Sequence, residues 1–94
     1  MYARVTNFQC DPARIDDMAK QVDAVSAEIA KVPGIQTAYA VWRGDGAGVV
    51  TAIYDSEASA EAAAPKVKEV WGSMSDYLAA PPAAEAYDSV TKMA

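Results

Sequence analysis

The segment IQTAYAVWRGDGAGVVTAIY, residues 35–54, decides the fold. From Ile35 to Arg43, Ile35, Thr37, Tyr39 and Val41 alternate with Gln36, Ala38, Ala40 and Trp42. This is the period-two pattern of a strand, whose successive side chains point to opposite faces. Gly44-Asp45-Gly46 is a turn, and Ala47–Tyr54 is a second strand, so the two runs form a hairpin. Gly48–Tyr54 is apolar on both faces, with Val49 and Ile53 on one and Val50, Ala52 and Tyr54 on the other. A strand without a polar face belongs at the centre of a sheet covered on both sides. The glycines Gly44, Gly46 and Gly48 lie in a hairpin rather than between a strand and a helix, which makes them turn chemistry and not a phosphate cradle.

Outward from this hairpin, the same phrase precedes and follows. Met1–Gln9 alternates Tyr2, Arg4, Thr6 and Phe8 against Ala3, Val5, Asn7 and Gln9, again a strand. Asp11-Pro12 reads as a helix cap followed by the first helical position, where Pro loses no hydrogen bond. Ile15, Met18, Val22, Val25, Ile29 and Val32 then recur at spacings of three and four, one apolar stripe expected to be core. Pro33-Gly34 ends that helix. After the hairpin, Asp55 or Ser56 caps a second helix, with Glu57 and Glu61 near its positive end. Pro65 is expected to kink or break it, since an interior Pro costs about 3 kcal/mol. Beyond it, Val67, Val70, Trp71, Met74 and Leu78 mark one face. Ala79-Ala80-Pro81-Pro82 is a stiff connector, and Ala84–Thr91 is expected to be the last strand.

Strand–helix–strand written twice and joined by a hairpin predicts an α+β, ferredoxin-like βαββαβ domain over residues 1–94. Its four-stranded antiparallel sheet carries both helices on one face, because crossovers are right-handed. The other face would be bare, yet most strands are apolar on both sides. The expected solution is a homodimer packed through the sheet faces.

Composition bounds the function. The 94 residues carry a net charge of −5, and their eight Lys and Arg are scattered singly, so no nucleic acid or anionic membrane partner is expected. No apolar run reaches the roughly 18 residues of a membrane span. One Cys allows no intrachain disulfide, and the chain opens directly in strand pattern, so a cytoplasmic location is expected. There is no His. Without His, a Cys pair or a carboxylate cluster at ligand spacing, no metal and no cofactor is expected. Asp16 and Asp17 are adjacent, point to different sides of their helix and do not pair as acid and base.

Four features together resemble the dimeric α/β-barrel superfamily, and within it the antibiotic-biosynthesis-monooxygenase-like (ABM) domains. These are the order of elements, Pro33-Gly34 before the second strand, Ala52-Ile53-Tyr54-Asp55 running into a helix cap, and Trp71 late in the second helix. The resemblance spans essentially the whole chain. It implies a cofactor-independent monooxygenase acting on a small aromatic or quinone-type compound; the alternative is a non-enzymatic dimeric ligand-binding or stress-related module of the same fold.

The resemblance also names candidate residues. The haem-degrading branch uses an Asn late in the first strand and a Trp in the second helix, which correspond to Asn7 and Trp71. It also needs a His beyond the Trp, and Tyr77–Pro82 supplies none, so haem breakdown is not expected. Asn7 and Trp71 are therefore candidate catalytic residues for cofactor-free oxygenation, an amide and an indole N–H holding a phenolate. The bland reading is a core Trp71 and an Asn7 bonded to backbone. Tyr2, Tyr39, Tyr54, Tyr77 and Tyr87 either line a cleft or sit at an interface. Arg4 and Arg43 are candidates for a ligand carboxylate or for simple exposure. Cys10, ahead of a helix N-terminus, is expected to have a slightly lowered pKa and to be structural.

Overall fold

A computed structural model describes all residues, Met1–Ala94. Strand β1 spans Tyr2–Gln9, helix α1 Ile15–Ala30, β2 Ile35–Trp42, β3 Ala47–Tyr54, α2 Glu57–Ser73 and β4 Ala83–Tyr87. Short 3-10 turns at Pro12–Arg14 and Ser75–Tyr77 lead into α1 and out of α2. The strands lie in the order β2-β3-β1-β4, and every neighbouring pair is antiparallel. This is the ferredoxin-like βαββαβ arrangement expected from the doubled phrase.

The local chemistry of the turns explains the element ends. Asp11 Oδ1 accepts the Ala13 N–H at 2.9 Å, with Pro12 at the first position of the turn that opens into α1. Ser56 Oγ accepts the Ser59 N–H at 3.2 Å and caps α2. In the hairpin, Gly46 takes φ +89°, and a Cβ there would collide with the Cys10 carbonyl oxygen. That carbonyl belongs to a chain crossing close by, since the Cys10 N–H donates to Gly46 O at 2.8 Å.

Three sequence expectations are corrected. Helix α2 runs unbroken from Glu57 to Ser73 with Pro65 inside it. The run of Ala ahead of Pro65, and the burial of Ala60, Ala63 and Val70 against the sheet, outweigh the one missing hydrogen bond. Strand β4 spans Ala83–Tyr87 instead of Ala84–Thr91, its pairing with β1 ending at Ala3 opposite Tyr87. In β2 the alternation does not hold throughout: a bulge between Ile35 and Thr37 leaves Gln36 unpaired. Ile35 therefore shares the face of Tyr54, while Thr37, Tyr39 and Val41 take the opposite face.

Both helices cover one sheet face, built by Tyr2, Arg4, Thr6 and Phe8 of β1 and Val50, Ala52 and Tyr54 of β3. The core on this side is split in two. One cluster joins Phe8, Cys10, Met18, Val70 and Met74; the other joins Val32, Tyr54, Ala60 and Ala63 at the far end of the layer. The opposite sheet face has no helix over it. There Tyr39 is 70% and Val41 60% exposed, next to Val5, Val49, Thr51 and Ile53.

Candidate functional site

Between the two core clusters lies a cavity of about 370 Å³, bounded by α1, α2 and the sheet. Its origin is visible in side-chain size. The floor is made by Thr6, Ala38, Ala40, Val50 and Ala52, which are too short to reach the helices above. The walls are Val22, Val25 and Ile29 of α1 and Val67, Val70, Trp71 and Met74 of α2. The α1 stripe expected to be core thus divides. Met18 and Val32 are buried at its ends, whereas Val22, Val25 and Ile29 are half-buried around the empty space. Two contacts tie the helices to each other: Gln21 Nε2 donates to Ser73 Oγ at 3.1 Å, and Lys66 Nζ lies 3.4 Å from Glu28 Oε2.

Trp71 is positioned by Phe8. Their ring centroids are 5.7 Å apart with planes inclined at 52°, a tilted aromatic pair that anchors one edge of the indole. Phe8 itself fits because its cross-strand neighbour is Gly48; a Cβ there would collide with the Phe8 ring and lie 2.6 Å from the Val41 carbonyl oxygen. Trp71 is half-buried, with part of its surface on the cavity. It packs against the Phe8 cluster, as a core residue does, and also lines the cavity.

Asn7 does not join it. In β1, Thr6 and Phe8 point to the helices, so Asn7 between them points to the open sheet face, where it is exposed and registers with Val49 and Ala83. The structure places Asn7 and Trp71 of one chain on opposite sides of the sheet, and the expected pairing is corrected in that respect.

The polar inventory of the cavity is short. Arg4 is its one charged lining residue, and the other hydrogen-bonding side chains along it are Thr6, Ser26, Gln36, Tyr54 and Trp71, while Thr37 and Tyr39 border it from β2 with their side chains on the open face. Ser26 is committed to its own helix, its hydroxyl donating to Val22 O at 2.7 Å. Tyr54 is 1% exposed, and burial pushes its phenol pKa up, against a smaller opposing pull from the Arg4 charge. It is a hydrogen-bond donor throughout the neutral range.

The other singled-out residues fall elsewhere. Tyr2 packs against the cluster containing Tyr54. Tyr77 packs on the Phe8 cluster with the Arg14 guanidinium 5.0 Å from its ring centre. Tyr87 donates to Glu85 Oε2 at 2.6 Å on the exposed β4. Arg43 pairs with Asp45 at 3.4 Å on the surface. Cys10 is 0% exposed, and burial raises its pKa instead of the expected lowering, with Asp11 adding to the rise. Its place deep in the core overrides any helix dipole. The floor residues Ala38, Ala40 and Ala52 were not singled out by the sequence; the signal was a column of small residues in neighbouring strands.

No family model matches the chain, and no curated protein does. Among solved structures it superposes on a candidate antibiotic biosynthesis monooxygenase from Caulobacter crescentus with a TM-score of 0.82, at 20% identity over 96% of this chain and 90% of that one. A conserved protein from Methanosarcina mazei gives the same TM-score at 15% identity over 96% and 94%. A monooxygenase from Streptomyces coelicolor, solved in complex with nanaomycin D, gives 0.77 at 26% identity over 99% and 90%. The sheet, the two helices and their order are those of the antibiotic biosynthesis monooxygenase (ABM) fold.

Proposed function

We propose that the protein binds a flat aromatic or quinone-type compound in the cavity between its two core clusters and oxidises it with molecular oxygen, without a cofactor. The observation that carries this reading is the cavity itself, apolar on its walls, floored by small residues and edged by Trp71. A gap between two well-packed clusters forfeits dispersion contacts on every side, and a planar ligand restores them. The Streptomyces coelicolor monooxygenase that holds nanaomycin D supports the same reading through its shared fold. In the simplest such reaction a methylene between two aromatic rings becomes a carbonyl. One oxygen atom of O₂ enters the product, the other leaves as water with the two methylene hydrogens, and the substrate supplies all four electrons. Trp71 would pack on the ring system and offer its indole N–H to substrate oxygen. Asn7, on the open face, enters this scheme only through a dimer interface. That dimer, formed through the bare sheet faces, is part of the proposal, as is the cytoplasm as working compartment, where the thiol of Cys10 stays reduced.

One observation favours a second reading, a dimeric module that binds without turnover. No carboxylate lines the cavity, so no strong base stands ready to take a proton from the substrate. Oxygen uptake with an anthrone separates the two. The oxidase reading expects one O₂ consumed per quinone formed, at least about tenfold slower in Trp71→Phe if orientation by the indole matters. The binding reading expects retention of the compound with no uptake above the protein-free rate.

A further inference from the structure

We propose that the compound taken by this cavity is an anion, a planar aromatic bearing a carboxylate group, held by Arg4. The inference rests on the reading of the cavity as a ligand site and adds the charge of what it takes.

Arg4 is the only charged residue among those lining the cavity, in a chain whose net charge is −5. Three of the eight basic side chains are in ion pairs, Arg14 with Asp17, Arg43 with Asp45, and Lys66 with Glu28 and Glu69, while Lys20, Lys31, Lys68 and Lys92 are unpaired and exposed. Arg4 is in none of these pairs. The sheet withholds one from it. Its cross-strand neighbours on β3 and β4 are Ala52 and Ala86, while the nearest acid on β4, Glu85, registers with Val5 and so points to the other face. On α2 the residues turned towards this face are Ala60, Ala63, Val67 and Val70.

Half-burial of a guanidinium without a counter-charge is unfavourable. A ligand anion relieves this through a two-pronged N–H···O contact. The buried Tyr54 phenol lines the same cavity close enough to feel the Arg4 charge, and it provides a second donor for the same oxygen group. The walls recognise the ring system and Arg4 the charge, which separates an acidic aromatic from a neutral one of equal size.

Two matched probes test this: naphthalene-2-carboxylate and naphthalene-2-carboxamide, alike in shape and different in charge. Binding is read at neutral pH as quenching of Trp71 in a Trp42→Phe background, which confines the signal to the cavity. The expected result is carboxylate affinity at least about tenfold above that of the carboxamide. In Arg4→Gln the ratio falls to about one with carboxamide affinity within about twofold of the parent, and Arg4→Lys recovers part of the preference. Circular dichroism and a melt establish that each variant is folded. Equal affinities in the parent protein overturn the proposal while leaving the cavity as a ligand site. Equal weakening of both probes in Arg4→Gln also overturns it, since Arg4 would then serve the fold. Absence of binding by either probe removes the ligand-site reading and this proposal together.

Discussion

At the scale of single residues, the site depends on an absence of side chain. Gly48 lies between Phe8 on β1 and Trp42 on β2, and only a hydrogen there lets the Phe8 ring lie over the sheet and lean on Trp71. Gly48→Ala forces the ring and the Val41 carbonyl apart. A loss of about 1–3 kcal/mol is expected, read as a lower urea midpoint at unchanged slope. Tyr54 makes a second prediction. Burial favours its neutral phenol, so the folded chain holds that proton more tightly than the unfolded one. Stability from this group is whole below the ordinary tyrosine value of about 10 and declines as pH rises from there through the raised folded value. Melting temperatures measured from pH 8 to 11 should fall less steeply in Tyr54→Phe than in the parent; identical slopes would show that Tyr54 does not titrate in this range. Buried Cys10, shifted the same way, adds to the alkaline decline from about pH 9 and is left in place in both proteins.

At the scale of elements, Pro65 is the clearest local conflict. It sits within α2, exposed, and removes one hydrogen bond from an otherwise continuous helix. Pro65→Ala should stabilise the protein by about 1–3 kcal/mol, seen as a higher melting temperature; a lower one would show that the proline shapes the helix for its packing. The elements themselves were legible in the sequence, because period two and period 3.6 are direct consequences of backbone geometry. The cavity was not. The α1 stripe states which residues turn towards the sheet, but their distance from it is set by Ala38, Ala40, Val50 and Ala52 on strands elsewhere in the chain. The alternation in β1 likewise separates Asn7 from Phe8 without saying which of them the helices cover. The Phe8–Trp71 contact decides that, and it is a tertiary fact. In β2 the bulge at Gln36 shifts the alternation of everything after it, and no residue type there announces it.

At the scale of the molecule, the two sheet faces have different tasks. One is covered by the helices over β1 and β3, with the cavity opening a gap there; the other carries Tyr39, Val41, Val49, Ile53 and Tyr87 without cover. The proposed dimer buries that second face, so light scattering should give twice the 9.9 kDa chain mass, and Val41→Lys should shift it towards the single mass. A single mass for the parent protein would contradict the sheet-to-sheet dimer. The central claim concerns the other side of the sheet: the space between the two core clusters is where a flat aromatic binds. It is tested most directly by titrating naphthalene-2-carboxylate against the protein with and without Ala52→Leu, both in the Trp42→Phe background, with Trp71 fluorescence as the signal. Leu at position 52 extends the floor into the cavity beside Arg4, its cross-strand neighbour, so naphthalene-2-carboxamide is titrated alongside and is expected to weaken equally. The account predicts affinity at least about tenfold weaker in Ala52→Leu with a melting temperature no lower than the parent's, since the added methylenes fill empty apolar space. Equal affinity in a folded Ala52→Leu would contradict it.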